Sequence, residues 1–257
     1  MIFNRRVPFF AGVVMVVALL LSLFAPLPFV IIKPGPAQNV LGSNIQISHA
    51  KTFNHPGKLF STSVLVSNPD SKMFGPELIF NWVVGDSVVL PRAALYPKAE
   101  SSATAKSVGA KEMSASEESA TIAALAQLKR SNPEIAAGVT GADIKIALKE
   151  TGGPSAGLIF ALGLLAKLTP TDFIKGRSIA GTGTIDNFGA VGPIGGIDQK
   201  LIGARRAGAE LFLAPEANCR DITRTPAGLK VVPVASLSQA LSVLTMNNSA
   251  NFPSCHR

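Results

Sequence analysis

The sequence predicts an α/β protein, a mixed sheet of α+β character preceded by one apolar helix. Three observations predict it. The second half alternates short branched-apolar runs with helix-periodic stretches, residues 34–97 read as β-rich, and residues 7–32 carry no charge at all.

The uncharged run comes first. Its 26 residues lie between Arg6 and Lys33 and explain much of a hydrophobic content of 47% and a mean hydropathy of +0.34. A helix over residues 7–25 would be about 28 Å long at about 1.5 Å per residue, close to the ~30 Å of bilayer hydrocarbon. Pro26 and Pro28 would end it. A cleaved secretory signal has an apolar core of about 7–15 residues and a small-x-small site. Here the run is longer and Phe24-Ala25-Pro26 makes a poor site, so an uncleaved anchor is expected. Arg5 and Arg6 place the N-terminus in the cytoplasm by the positive-inside rule, with the rest of the chain extracytoplasmic. The expectation is a single-pass cell-membrane protein that contacts lipid through residues 7–32.

Residues 34–97 follow as a β-rich portion. Residues 44–48 alternate, and 63–66 and 78–84 are branched and aromatic; Asn54-His55-Pro56-Gly57 and Asn68-Pro69-Asp70 punctuate them. Residues 98–113 are assigned to a flexible loop, because the Ser, Ala and Lys of 98–111 show no apolar period. Ser114 and Glu117 form a capping box that opens a helix to about Arg130, with Ile122, Leu125 and Leu128 on its apolar side.

The main domain is drawn over 114–246, with a tail at 247–257. Ile144, Ile146 and Leu148 alternate as a strand, and a helix is expected over about 155–168. A strand follows at 178–185, a turn at 186–189, and a helix over about 197–207 with Gly208 as its cap. Leu211 and Leu213 mark a strand, 231–234 another, and 236–244 a closing helix.

Charge excludes little. Three of the 24 basic residues lie at or before Lys33, which leaves 21 against 16 acidic residues, a net +5. No dense Lys/Arg block is interleaved with aromatics, so nucleic acid is not an expected partner. The two cysteines, Cys219 and Cys255, lack the C-x-x-C spacing of a zinc site. They are a candidate disulfide in an oxidising compartment, although sequence leaves open whether they approach. Neither a metal nor a cofactor is expected.

Chemistry concentrates in two segments. Ser155 sits in Thr151-Gly152-Gly153-Pro154-Ser155-Ala156-Gly157 and Lys200 in Gly195-Gly196-Ile197-Asp198-Gln199-Lys200. A serine hydroxyl needs a base to become a nucleophile, and a neutral lysine amine can be that base. At a helix start, Ser155 would meet unpaired backbone N–H groups and the positive end of the helix dipole, suited to an oxyanion. Gly152 and Gly153 would let a substrate carbonyl approach. Lys200 would have to drop by about 3 pKa units from ~10.4, through burial beside Ile194, Ile197 and Leu201. The plainer readings are a serine N-cap and a solvated helical lysine. Gly153-Pro154-Ser155-Ala156-Gly157 also fits the Gly-x-Ser-x-Gly elbow of α/β-hydrolases, but only His256 follows it, and His49 and His55 lie in the β-rich portion.

Gly152-Gly153-Pro154-Ser155-Ala156-Gly157, Ala180-Gly181-Thr182-Gly183-Thr184-Ile185 and Val191-Gly192-Pro193-Ile194-Gly195-Gly196-Ile197-Asp198-Gln199-Lys200 together resemble the proteolytic domain of the Lon family, over roughly residues 144–244. The resemblance implies Ser155 as nucleophile, Lys200 as general base and Thr182 as the threonine supporting the amine, with Thr184 beside it; a plain β-strand threonine is the other reading of Thr182. It also implies a homo-oligomer. The anchor with such a domain is similar to bacterial membrane-anchored proteins that add a PDZ module. Here only 13 residues separate Arg130 from Ile144, too few for that module. The sequence has no Gly-x-x-x-x-Gly-Lys-Ser/Thr, so no ATP use is expected. The functional expectation is a membrane-anchored, ATP-independent Ser/Lys endopeptidase acting on unfolded or exposed segments of extracytoplasmic proteins. The alternatives are an α/β-hydrolase-like esterase and an inactive membrane-anchored interaction protein.

Overall fold

Proline and glycine set the first boundaries. In the computed structural model, which describes residues 8–96, 101–146, 152–246 and 251–255, helix α1 covers Phe9–Phe24 and is followed by Pro26 and Pro28. Arg5, Arg6 and Val7 of the expected anchor, Leu148 of the expected strand, Thr151 of the serine motif and His256 lie outside the described residues. The chain continues as β1 (Phe29–Asn39), β2 (Ile45–Ile47), β3 (Lys58–Val66), α2 (Gly75–Val84), β4 (Val88–Pro91), α3 (Arg92–Leu95), α4 (Ser102–Ser131), α5 (Pro133–Ala137), β5 (Ile144–Ile146) and α6 (Gly157–Leu168). After α6 come β6 (Ser178–Gly181), β7 (Thr184–Ile185), β8 (Val191–Gly192), α7 (Ile197–Arg206), β9 (Leu211–Pro215), β10 (Lys230–Val234) and α8 (Leu237–Thr245). The class is mixed α/β.

The chain divides into two units. The larger comprises Pro34–Leu65 with Ala103–Arg257. Its sheet runs in the order β10, β9, β6, β3, β1, with β10, β9, β6 and β3 parallel to one another. Parallel strands bury both faces, so their sequences are continuously apolar and successive residues serve different cores. Leu59, Ile179, Leu211, Leu213, Val232 and Val234 join one cluster, with α4, α6 and α8; Phe60, Ala180, Phe212 and Ala214 join the other, with α7. Within α6 every residue except Lys167 is buried, which makes it the central helix of this unit.

The smaller unit comprises Val66–Ser102 with the part of the chain up to Lys33. There Phe29–Ile32 of β1 pairs antiparallel with β4, and Ile31, Met73 and Leu78 form its core. The 26-residue apolar run is therefore not one element. Residues 9–24 are helical, whereas Val30, Ile31 and Ile32 are buried sheet residues, because Pro26 and Pro28 force extended backbone between them. Among the described residues no helix is long and apolar enough to cross a membrane.

Two other expectations are corrected. Residues 78–84 form helix α2, not a strand. Pro76 sits in its first turn and Gly85 closes it at φ +77°, and these terminal signals outweigh the β-branched composition. Residues 102–113, expected to be loop, are the first turns of α4. Their Ala and Lys are strong helix formers, and the helix packs by small residues, Ser116, Ala120, Ala123 and Ala124 with Met113 and Leu128, which leave no aliphatic periodicity to read. Ser114 thus lies inside the helix, and Ile122 points outward at 40% exposure.

Candidate active site

The end of a buried strand, the start of a buried helix and one inward face of α7 converge in the larger unit. β6 ends at Gly181, where an added Cβ would lie 2.7 Å from Ile159 Cδ1; the glycine lets strand and central helix approach. Thr182 follows, fully buried, and Gly183 takes φ +150°, so the predicted strand over 178–185 is broken into β6 and β7 at this point. Ser155 lies two residues before the first residue of α6. Its carbonyl accepts from Gly183 N at 2.8 Å and from Thr182 Oγ1 at 2.9 Å, which fixes the turn.

Lys200 is carried by α7, which begins after Gly196 in left-handed conformation at φ +69°. Only 2% of Lys200 is exposed. Its Nζ lies 2.7 Å from Ser155 Oγ, 3.2 Å from Thr182 Oγ1 and 3.0 Å from the carbonyl oxygen of Thr62. Among the described residues no acidic side chain offsets the burial, which pushes the amine down from 10.5 to about 8. Ile197 and Leu201 are buried on the same helix, with Ile194 packed against their cluster. At neutral pH about a tenth of such amines carry no charge, against fewer than one in a thousand for an ordinary lysine.

The remaining expected residues are distributed around this pair. Thr184 is not among the hydrogen-bond partners of Lys200 Nζ in the described residues; it lines an open depression of about 370 Å³ with Pro154, Ser155, Pro193, Ile194 and Gly195. Gly152 packs against Gly109 of α4, where an added Cβ would lie 3.3 Å from Gly109 Cα. Gly153 requires φ +87° and donates its N–H to Gly109 O at 2.9 Å, so that N–H is spent on the fold. The smallness of Gly152 thus serves the packing of the serine turn on α4, whereas a Cβ on Gly153 would meet nothing within 4 Å. Cys219 and Cys255 are joined, linking the 3-10 turn Glu216–Asp221 to the C-terminal segment. His49 bonds Asp143 and His55 bonds Thr169 O; neither reaches Ser155.

Sequence reasoning missed three supports. The Thr62 contact is a main-chain oxygen, which no side-chain pattern announces. Ser116 Oγ donates to Pro154 O at 2.9 Å, holding the serine turn from α4. Asn218, 2% exposed, accepts from Ile194 N at 2.9 Å and donates to Ile194 O at 3.0 Å, fixing the loop that lines the depression.

The family model of the Lon protease (S16) C-terminal proteolytic domain matches residues 111–247, just over half of the chain. The chain belongs to the Lon proteolytic-domain family. It is similar to Lon protease 2 of Herpetosiphon aurantiacus, 35% identical over 122 residues that make up 44% of this chain and 15% of that protein. It is also similar to the Lon proteases of Chloroflexus aggregans, 36% identical over 94 residues (35% of this chain, 11% of that one), and of Vibrio parahaemolyticus, 39% identical over 95 residues (35% and 12%). The chain thus matches only a small part of these relatives' length. The Lon-type match begins at Lys111 within α4, so most of the helix that holds the serine turn falls inside it.

Proposed function

We propose that this Lon-type chain is an ATP-independent serine endopeptidase that uses a Ser155/Lys200 dyad on unfolded or exposed protein segments. One observation carries the reading: a buried, uncompensated amine 2.7 Å from a serine hydroxyl at the start of the central helix. A neutral amine has two N–H bonds and one lone pair. With Thr62 O and Thr182 Oγ1 accepting the two N–H bonds, the lone pair is left for Ser155 Oγ. Thr182 can accept because its own proton is committed to Ser155 O.

In the proposed reaction Lys200 takes the hydroxyl proton as Ser155 Oγ attacks the peptide carbonyl. The resulting ammonium then protonates the departing amine, and water, deprotonated by Lys200, clears the acyl-enzyme. Among the described residues the backbone N–H groups of Ser155 and Ala156 have no partner, and they supply donors for the oxyanion beside the positive end of α6. The esterase alternative is disfavoured by His49 and His55, which are engaged elsewhere. Cleavage of an unfolded protein by the full chain without ATP, compared with Ser155→Ala and Lys200→Ala, tests the reading. Turnover lost in both variants supports it; ester cleavage that survives Lys200→Ala points to the elbow chemistry, and no turnover of any substrate by the unaltered chain favours an interaction protein.

We also propose that α1 is embedded in a membrane, with the N-terminus cytoplasmic and the dyad extracytoplasmic. None of the side chains of α1 is charged or buried against protein. A helix apolar all round needs an apolar environment. Its 16 residues span about 24 Å, so crossing requires residues before Phe9 as well. A homo-oligomer is proposed on resemblance to the Lon family.

A further inference from the structure

Helix α2 wears its apolar side outward. Leu78 and Asn81 face the core of the smaller unit, and the Asn81 amide is satisfied by Glu77 O and Ser87 Oγ. The opposite arc presents Ile79, Phe80, Trp82, Val83 and Val84, each more than half exposed, with Trp82 at 74%. At about 100° per residue these five sweep about 200° of the helix with no charged side chain among them. A contiguous exposed apolar patch of this kind is a surface for a partner or for lipid.

The same unit indicates which. Leu23 O, at the end of α1, lies 3.7 Å from where a Cβ would stand on Gly75, the first residue of α2. The outward arc therefore starts where an uncharged helix with no buried residue ends. Trp and Phe are the side chains that favour the boundary between acyl chains and headgroups. Among the described residues of this unit Lys33, Lys72 and Arg92 balance Asp70, Glu77 and Asp86, so no net charge selects an oppositely charged protein or an anionic lipid. We propose that the outer face of α2 lies in the interfacial layer of a phospholipid bilayer, held by apolar burial and indifferent to lipid charge. This inference rests on the reading of α1 as membrane-embedded.

Trp82 is the only tryptophan of the chain, so its fluorescence reports on this face alone. The full chain is reconstituted into phosphatidylcholine vesicles and floated on a density gradient, and Trp82 emission is read with aqueous iodide or with lipids brominated on their acyl chains. The expected result is flotation, blue-shifted emission, little iodide quenching and strong quenching by brominated lipid, unchanged by adding anionic lipid. Phe80→Glu combined with Val83→Glu should still float through α1 but recover iodide quenching of Trp82. Flotation with Trp82 open to iodide overturns the inference and leaves the reading of α1 standing. Shielding from iodide without quenching by brominated lipid means that protein covers the face, a second copy included, and also overturns it. Failure to float removes the reading of α1 and this inference with it.

Discussion

Each end of the central helix α6 holds a lysine amine, and the two ends use it differently. At the C-terminal end Lys167 Nζ donates to the carbonyl oxygens of Gly42 and Ile45, both at 2.9 Å, from a half-buried position. Burial lowers its pKa, but two carbonyl dipoles and the negative end of the helix favour the charged form. At the N-terminal end Lys200 is almost fully enclosed, meets one carbonyl and two hydroxyls, and faces the positive end of the helix. The two amines differ both in depth and in what compensates their charge, and only Lys200 has the setting required of the proposed base. The amine needs an environment that withholds compensation for its charge and a hydroxyl placed to receive its lone pair.

The sharpest way to break this comparison is to remove either member of the dyad. Ser155→Ala or Lys200→Ala is expected to lower peptide turnover by about 10³-fold or more, measured on an unfolded substrate, whereas Lys167→Met leaves turnover within about twofold. If Lys167→Met also abolishes turnover with the fold intact, the two ends are not distinct.

Thr182 sharpens it next. Thr182→Val keeps the shape but removes one acceptor for the Lys200 amine and one donor to Ser155 O, and should cost about 10–100-fold in kcat with little change in KM. Thr182→Ser should restore most of that loss, which a purely structural threonine would not predict.

Burial lowers the pKa of both lysines, so the pH dependence has one sign for both, and the two are separated by what a methionine does in their place. Lys200 has a folded pKa of about 8 below its unfolded 10.5. Below pH 8 it is protonated in both states and the full penalty is present; between 8 and 10.5 only the unfolded chain holds the proton, so stability rises with pH. Lys200→Met should therefore stabilise the fold near pH 7 by about 1–3 kcal/mol in denaturant melts and flatten that rise. Lys167→Met should do the opposite at neutral pH, costing about 1 kcal/mol through the two unpaired carbonyls. This is the smallest of the expected effects.

Legibility followed the same divide between side-chain pattern and packing context. The strands at β9 and β10 and helices α7 and α8 were readable because continuous apolar runs and end signals, such as Ser236 accepting from Gln239 N, are local. Ser155 and Lys200 stood out by the segments that hold them, and Thr182 only through the resemblance to the Lon family; the structure brings the three side chains together. Thr62 was not, since it contributes only a main-chain oxygen. The start of α4 was hidden because alanine and serine packing on glycine carries no hydrophobic period, and α2 was misread as strand because its branched apolar residues face outward, where a two-residue or four-residue repeat has no core to match. Pro26 and Pro28 marked the end of the helix within the apolar run, but composition did not reveal that Val30, Ile31 and Ile32 beyond them are buried in a sheet.

The most direct test of the dyad is the rate at which a serine-directed phosphonylating reagent modifies Ser155 between pH 6 and 10, with the modified residue identified by peptide mass. The expected rate climbs about tenfold per pH unit, levels near pH 8 and vanishes in Lys200→Ala. A flat profile, a midpoint near that of an ordinary lysine, or labelling that persists without Lys200 would contradict it.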